Sequence, residues 1–166
     1  MLDFIRIACA VPAVRVGDTA ENAEDICAYI EKADGERADI VLFPELALTG
    51  YTCQDLFFQD TLWTGVQQGI RKIADCTKDH PNITAAVGLP VRTGMRLYNC
   101  AAVISRGKIH ALVPKTYIPN YNEFYEKRWF SSGSEVTEDV AELLGEPVPV
   151  PVSYTHLRAH ETLSDL

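Results

Sequence analysis

The chain lacks the features that mark several classes of protein. It has no basic block longer than a dipeptide, and its 23 Asp and Glu outnumber its 15 Lys and Arg, for a net charge of −8 over 166 residues. Binding to a nucleic acid or an anionic membrane needs clustered cations, so we expect neither partner. The apolar runs fall far short of the ~18 residues of a membrane helix. The N-terminus also shows no signal-peptide pattern, so we expect a cytoplasmic location.

The cysteines are few and are not grouped. Five are spread along the chain, an odd number, and no two stand at the spacing of a zinc knuckle; they are Cys9, Cys27, Cys53, Cys76 and Cys100. This pattern argues against a disulfide framework and a structural zinc site, and we predict no metal site. It is typical of a protein of the reducing cytoplasm.

The chain does contain alternating apolar strands and amphipathic helices. Asp18 or Thr19 is expected to cap a first helix, and a second helix should start at Asp55 or Asp60 and end near Lys78. Strands are predicted at 4–11, 39–43, 83–89, 98–105 and 108–113, the first two of them buried. A tight hairpin turn is expected at 106–107, and a loop with a short helical turn at 120–130. This order predicts an α/β fold with a mixed sheet in about one domain.

Polar and aromatic groups follow the predicted strand ends, where chemistry gathers in open α/β sheets. Glu45 is either a carboxylate that opens a loop or a general base at the rim of a dry pocket. Lys115 is either a solvated lysine or a fixed cation that stabilises an oxyanion. The aromatic residues after it form either a packed lid or the wall of a small-molecule pocket; they are Tyr117, Tyr121, Phe124, Tyr125, Trp129 and Phe130.

Two longer blocks resemble a known family. Residues 43–51, Phe-Pro-Glu-Leu-Ala-Leu-Thr-Gly-Tyr, followed by Asp-Leu-Phe at 55–57, resemble the nitrilase superfamily of carbon–nitrogen hydrolases. Residues 114–121 and 123–130, with Gly133, narrow the resemblance to the amino-terminal glutaminase domain of glutamine-dependent NAD synthetases. The resemblance extends from about residue 4 to about residue 150. The resemblance is specific because the two blocks occur in the same order as in the family and at a similar separation along the chain.

This resemblance implies a partial nitrilase-type αββα sandwich with a mixed sheet and a Glu-Lys-Cys triad. Glu45 matches the general base, Lys115 the oxyanion-stabilising lysine, and Glu126 the second glutamate that orients this lysine. Three further residues match positions that line the glutamine pocket: Tyr51, Tyr121 and Phe124. In the implied reaction a thiolate attacks the side-chain amide of glutamine, ammonia leaves, and water releases glutamate from the thioester.

The resemblance also implies partners outside this chain. In the complete enzyme, ammonia passes to a second domain that uses ATP and Mg to amidate deamido-NAD, and the complete protein forms a homo-oligomer. The glycines of this sequence form no phosphate-cradling loop, so we expect no cofactor here and assign ATP and Mg to the missing synthetase domain.

The nucleophile of the family has no match in this sequence. In the family the cysteine follows one further strand, some tens of residues after the lysine block, whereas no cysteine follows Cys100 here. Cys53 lies near Glu45 along the chain but does not match the nucleophile's place. None of the four histidines lies in a recognisable Cys-His or Ser-His elbow. We therefore expect residues 1–151 to be an incomplete glutaminase domain, inactive alone.

The last residues, 152–166, form a tail that does not resemble the family. They resemble a translated transposon-end sequencing adapter; the alternative is an ordinary amphipathic terminus or an expression scar. We expect such a segment to add no element to the fold. His156 and His160 stand four residues apart, but we reject a metal site because no third ligand is comparably placed.

Two other functions remain open at this point. One is a truncated amidase of another nitrilase branch, which would not be expected to carry the block at 120–124. The other is a short non-catalytic nitrilase-like binding protein, which predicts a soluble chain with cooperative unfolding. The fragment hypothesis instead predicts uncovered apolar strand faces, an unpaired sheet edge and a tendency to aggregate.

Overall fold

The computed structural model describes residues 4–151, and the predictions made for the tail at 152–166 lie outside the described residues. The helices are α1 (Thr19–Gly35) and α2 (Asp60–Asp79). The strands are β1 (Ile7–Cys9), β2 (Ile40–Leu42), β3 (Thr84–Thr93), β4 (Arg96–Ser105), β5 (Lys108–Pro114), β6 (Val140–Leu143) and β7 (Glu146–Pro149). Short 3-10 turns lie at Tyr51–Phe58, Glu126–Arg128 and Gly133–Glu135. In this part of the chain no helix is both long and apolar enough to span a membrane.

The principal sheet has the strand order β1-β2-β3-β4-β5. The first three strands run parallel, and β4 and β5 add antiparallel neighbours, so the predicted mixed sheet and α/β class are confirmed. Arg106 and Gly107 turn the predicted hairpin with positive φ angles of 51° and 77°, as a two-residue primed turn requires. A second sheet of two strands, β6 and β7, was not predicted.

The start of each helix follows from local chemistry. The Asp18 side chain accepts a hydrogen bond from the Glu21 amide at 3.1 Å, so Asp18 is the N-cap of α1. The second helix begins at Asp60 and not at Asp55. Gln54, the residue before Asp55, has a φ of 52°, and this non-helical residue divides 51–58 into short turns.

Two glycines allow α1 and α2 to pack closely. Glycine inside a helix costs about 1 kcal/mol relative to alanine, but a Cβ on Gly69 would lie only 2.9 Å from the Leu48 side chain and 3.2 Å from the Thr19 carbonyl oxygen. A Cβ on Gly65 would collide with the Thr19 hydroxyl. The small residues therefore let the helices approach each other side by side.

The helices and the β6–β7 hairpin cover one face of the principal sheet. Buried side chains of that face share one core with α1, α2 and the hairpin; they include Val41, Val87, Leu89, Ala102, Ile104 and Leu112. The opposite face carries a smaller core under the loops near the candidate site, formed by Leu46, Cys53, Phe57, Leu62, Leu97, Ile118 and Phe130.

The prediction that the first two strands are buried is wrong for their open face. Ile7 on β1 is 55% exposed and Leu42 on β2 is 40% exposed. Val41, the residue before Leu42, points to the opposite face of the sheet and is fully buried. The cause is position, because β1 is an edge strand and no second layer covers this part of the open face within residues 4–151.

Candidate active site

Glu45 lies in a turn after β2 that is held against β3. The Phe43 amide donates to the Ala86 carbonyl at 2.9 Å, and the Leu48 amide donates to the Gly88 carbonyl at 3.1 Å. A Cβ on Gly88 would collide with the backbone of this turn at Pro44, Glu45 and Leu46. Glycine at this position therefore lets the turn lie directly on the sheet and fixes the place of the Glu45 carboxylate.

Lys115 follows β5 and is fixed by its backbone. Its amide donates to the Asn99 carbonyl on β4 at 2.7 Å, and its carbonyl accepts from the Gly133 amide at 2.8 Å. A Cβ on Gly133 would lie 2.9 Å from the Pro114 carbonyl oxygen, so this contact also needs glycine.

The three predicted catalytic side chains come together in one cluster. The Lys115 Nζ donates to Glu45 Oε1 at 2.7 Å and to the two carboxylate oxygens of Glu126 at 3.1 and 3.0 Å. Seventy residues separate Glu45 from Lys115 along the chain. One ammonium thus bridges two carboxylates, which is the arrangement that holds a lysine cation in a defined position.

Burial differs across the cluster and sets its electrostatics. The Glu126 side chain is 3% exposed, Lys115 is 29% exposed and Glu45 is 41% exposed. Burial by itself lowers the pKa of Lys115, but the hydrogen bonds to Glu45 and Glu126 outweigh it, and the net effect raises the pKa of this lysine. Lys115 is therefore a permanent cation, and Glu45 is its more accessible carboxylate partner.

Two further side chains complete the cluster. The Tyr51 hydroxyl donates to Glu126 Oε1 at 2.7 Å, and burial together with this bond raises the pKa of Tyr51. The Asn99 amide donates to Glu45 Oε1, and Asn99 is buried in β4. Sequence reasoning missed Asn99; the available signal was a lone amide inside an apolar strand, where asparagine is uncommon.

The residues predicted to line a glutamine pocket do not all share one cavity. Tyr121 and Lys115 line a cavity of about 1050 Å³, whereas Tyr51 and Phe124 do not line it. Tyr51 contacts Glu126 instead. The Phe124 ring packs edge to face against Tyr121, with centroids 5.9 Å apart.

Asp55 clamps the first sequence block to the second. Its carboxylate accepts from Arg128 at 2.8 and 2.7 Å and from the Trp129 indole at 2.9 Å. Hydrogen bonds from Arg128 and then Trp129 lower the pKa of Asp55 to about 2. This ion pair joins the turns at 51–58 to the segment that carries Glu126.

The thiols of the described residues do not reach this cluster through hydrogen bonds. Cys53 is buried and donates to the Thr49 carbonyl at 3.0 Å, and burial raises its pKa. Within residues 4–151 no three His, Cys, Asp or Glu side chains are grouped as metal ligands. The site is therefore a carboxylate–lysine–carboxylate cluster beside a cavity.

The sequence is similar to a family of hydrolases and to several known synthetases. Residues 6–148 match the carbon-nitrogen hydrolase family. The glutamine-dependent NAD(+) synthetase of Xylella fastidiosa is 40% identical over 151 residues, which are 90% of this chain and 27% of that protein. The enzyme of the same name from Mycobacterium tuberculosis is 35% identical over 130 residues, 78% of this chain and 19% of that protein. The chain thus spans about a quarter or less of the curated relatives it matches.

Solved structures give the same result for the fold. A glutamine-dependent NAD(+) synthetase from Cytophaga hutchinsonii superposes with a TM-score of 0.77 at 29% identity, over 88% of this chain and 25% of that one. An amidase from Nesterenkonia sp. superposes with a TM-score of 0.66 at 24% identity, over 86% of this chain and 53% of that one, which shows the fold alone. The resemblance noted at 43–51 and 114–130 is confirmed, and the chain belongs to the carbon-nitrogen hydrolase family.

Proposed function

We propose that this chain supplies the base and the lysine of a glutamine-hydrolysing unit in a glutamine-dependent NAD synthetase. In this proposal the unit releases ammonia from glutamine, and the ammonia serves the ATP-dependent amidation of deamido-NAD. The observation that carries the proposal is the contact of Lys115 with both Glu45 and Glu126. The 40% identity to the Xylella synthetase supports the choice of substrate.

The geometry suggests a role for each side chain in amide hydrolysis. Glu45, the exposed carboxylate, takes the proton of an attacking thiol and returns it to the leaving ammonia. The Lys115 ammonium stabilises the oxyanion that forms on the amide carbonyl. Glu126 and Tyr51 hold the lysine in place because Glu126 accepts from both.

We do not assign the nucleophilic thiol, the nucleotide substrates or the metal to this chain. No cysteine of the sequence matches the nucleophile, so we propose that the 166-residue chain does not hydrolyse glutamine alone. ATP, Mg and deamido-NAD are assigned to the remainder of such a synthetase, and a related synthetase from Acinetobacter baumannii has been solved in complex with ADP. Homo-oligomer formation and a cytoplasmic location belong to the same proposal.

The test is a chimera in which residues 6–148 replace the matching segment of the Xylella synthetase. We expect NAD synthesis from glutamine and from ammonia. Lys115→Ala in the chimera should abolish synthesis from glutamine, because the oxyanion loses its cation, and should leave synthesis from ammonia unchanged. Both rates are measured as NAD formed per minute at saturating ATP.

A matched control uses Lys108, a lysine at the start of β5 with an exposed side chain. Lys108→Ala should leave both rates unchanged. A chimera that uses ammonia but not glutamine would overturn the proposal. Equal loss of both rates in Lys115→Ala would show structural damage, and the milder Lys115→Met would then be compared.

An amidase of another nitrilase branch is the second candidate. Its support is the fold shared with the Nesterenkonia amidase. Release of ammonia from short aliphatic amides, but not from glutamine, by the chimera would favour it. A non-catalytic binding role would leave the chimera without either hydrolysis.

A further inference from the structure

A second group of titratable side chains lies between α1 and α2, away from the candidate active site. Lys72 Nζ on α2 lies 2.5 Å from Glu24 Oε1 on α1, and the His80 ring just after α2 lies 2.9 Å from Asp34 Oδ2 near the end of α1. Partner numbers rise together on both helices, so α1 and α2 run parallel. We call this line of contacts the α1–α2 seam; it comprises Glu24, Cys27 and Asp34 on α1 and Lys72, Cys76 and His80 on the side of α2.

Two cysteines form the middle of the seam. Cys76 Sγ lies 3.9 Å from the Cys27 carbonyl oxygen, and Cys27 Sγ lies 4.0 Å from the Lys72 carbonyl oxygen, one turn before Cys76. Each thiol thus rests against the backbone of the opposite helix. Both are half-buried, so a small oxidant can reach them. The polar pairs on either side clamp the helices and keep the two thiols in register.

The two thiols have opposite acidities. A hydrogen bond with Cys27 lowers the pKa of Cys76 to about 7, and the positive charge of nearby His80 adds to this against the opposing effect of burial. The same bond and burial raise the pKa of Cys27. The hydrogen bond from the His80 ring to Asp34 raises the pKa of His80 and so favours the imidazolium. Near neutral pH, Cys76 is therefore the more acidic thiol and Cys27 keeps its proton. These are the properties of an attacking and a resolving cysteine, respectively.

We propose that Cys27 and Cys76 are a reversible disulfide site that joins α1 to α2 in the presence of a peroxide. The Cys76 thiolate attacks one peroxide oxygen, the O–O bond breaks, and Cys76 becomes a sulfenic acid while water leaves. The Cys27 sulfur then attacks the sulfenic sulfur, the S–O bond breaks, and a second water leaves with the remaining thiol proton. Two thiols lose two electrons in all, and hydrogen peroxide becomes two water molecules. A dithiol reductant reverses the step by thiol–disulfide exchange.

The other thiols of the described chain are placed differently. Cys53 and Cys100 are buried, and burial raises the pKa of both. Cys9 is exposed on β1. A metal site is a poor alternative, because within residues 4–151 no group of three suitable ligands occurs in the seam or elsewhere.

The test oxidises the reduced full-length chain with hydrogen peroxide, blocks free thiols by alkylation and maps the digest by mass spectrometry without reduction. We expect a dominant peptide pair that links Cys27 to Cys76, lighter by two hydrogen atoms and lost on treatment with dithiothreitol. The same oxidation in concentrated urea should give a mixture of pairs. Equal yields of the Cys27–Cys76 link in buffer and in urea would overturn the proposal.

Single variants assign the steps. In Cys27→Ser the sulfenic acid of Cys76 should persist and be trapped by dimedone, because no resolving thiol remains; in Cys76→Ser this product and the link should both be lost. Cys53→Ser is the matched control and should keep the link.

At pH 7, Cys76 should be alkylated at least about tenfold faster than Cys100, because Cys76 is more accessible and more acidic than the buried Cys100 thiol. Dimedone adducts on Cys9 alone would contradict the assignment.

Discussion

The Glu126 carboxylate shows how a single buried charge is kept stable. It is 3% exposed and accepts hydrogen bonds from Lys115 and Tyr51. Glu126→Ala removes the acceptor and leaves a partly buried ammonium and a hydroxyl without their partner, so we expect the free energy of unfolding to fall by about 2 kcal/mol. Urea unfolding followed by circular dichroism measures this loss.

Glu135 offers the control for that substitution. Its ion pair with Arg96 lies at the surface, with both side chains about half exposed. Glu135→Ala should change the unfolding free energy by less than about 0.5 kcal/mol, since exposed ion pairs contribute little. An equal effect of the two variants would show that Glu126 is not held as the structure describes.

The ion pair of Asp55 makes the free energy of unfolding depend on pH in the acid range. Its folded-state pKa, about 2, lies below its ordinary value near 3.8. A depressed carboxylate contributes stability that is present above pH 3.8 and is lost as the pH falls through 2. The difference in unfolding free energy between the natural chain and Asp55→Asn should therefore be constant above pH 5 and shrink between pH 4 and pH 2. A difference that does not change with pH in urea titrations would contradict the ion pair with Arg128.

At the residue scale, prediction depended on recognisable local blocks. Glu45, Lys115 and Glu126 stand in segments that resemble a family, so their positions could be proposed without a structure. Asn99 belongs to no such block. Its contact with Glu45 depends on the register between β3 and β4, which the sequence alone does not reveal. The roles assigned to Tyr121 and Phe124 in substrate binding stay predictions.

At the element scale, Gly88 decides whether β3 can carry the Glu45 turn. Gly88→Ala places a Cβ into the backbone of residues 44–46. We expect a loss of about 1–3 kcal/mol of unfolding free energy, as overpacking a rigid contact does. In the chimera the same change should lower the rate with glutamine more than the rate with ammonia, because Glu45 moves.

Gly35 is the matched control, since a Cβ there meets no atom within 4 Å. Gly35→Ala lies at the end of α1 and should leave stability unchanged or raise it by about 0.5 kcal/mol. A similar loss in both variants would mean that the close approach at Gly88 is not the cause.

Elements with a strong local signal were predicted well. Each is determined by a few neighbouring residues: the cap at Asp18, the apolar spacing of α1 and the Arg106-Gly107 turn. The β6–β7 hairpin was missed because its strands have only four residues each and β7 contains Pro147 and Pro149, so no clear strand pattern flanks the turn at Leu144-Gly145. The exposure of β1 depends on strand order and on covering layers, which no local pattern contains.

At the scale of the whole molecule, we expect the open face of the sheet to favour self-association. Ile7 and Leu42 are exposed beside the free edge of β1. Apolar side chains at an unpaired edge favour aggregation. The double variant Ile7→Lys with Leu42→Lys should lower light scattering in a concentration series while the far-ultraviolet circular dichroism is kept.

Met95 serves as the control for this surface, because it is fully exposed but lies in the β3–β4 turn. Met95→Lys should leave the light scattering unchanged. Equal suppression by both changes would assign the effect to net charge and not to the open face.

The order of the strands also bears on how the molecule is built during synthesis. Strands β1 to β5 lie in the sheet in the order in which a ribosome makes them, so each new strand joins the edge left by the one before. No strand has to enter between two that are already paired, and pairing need not wait for distant sequence. Lys115 and Glu126 emerge after the last of these strands. The Glu45 turn can therefore pack on β3 before the Lys115 ammonium is available to contact the Glu45 carboxylate.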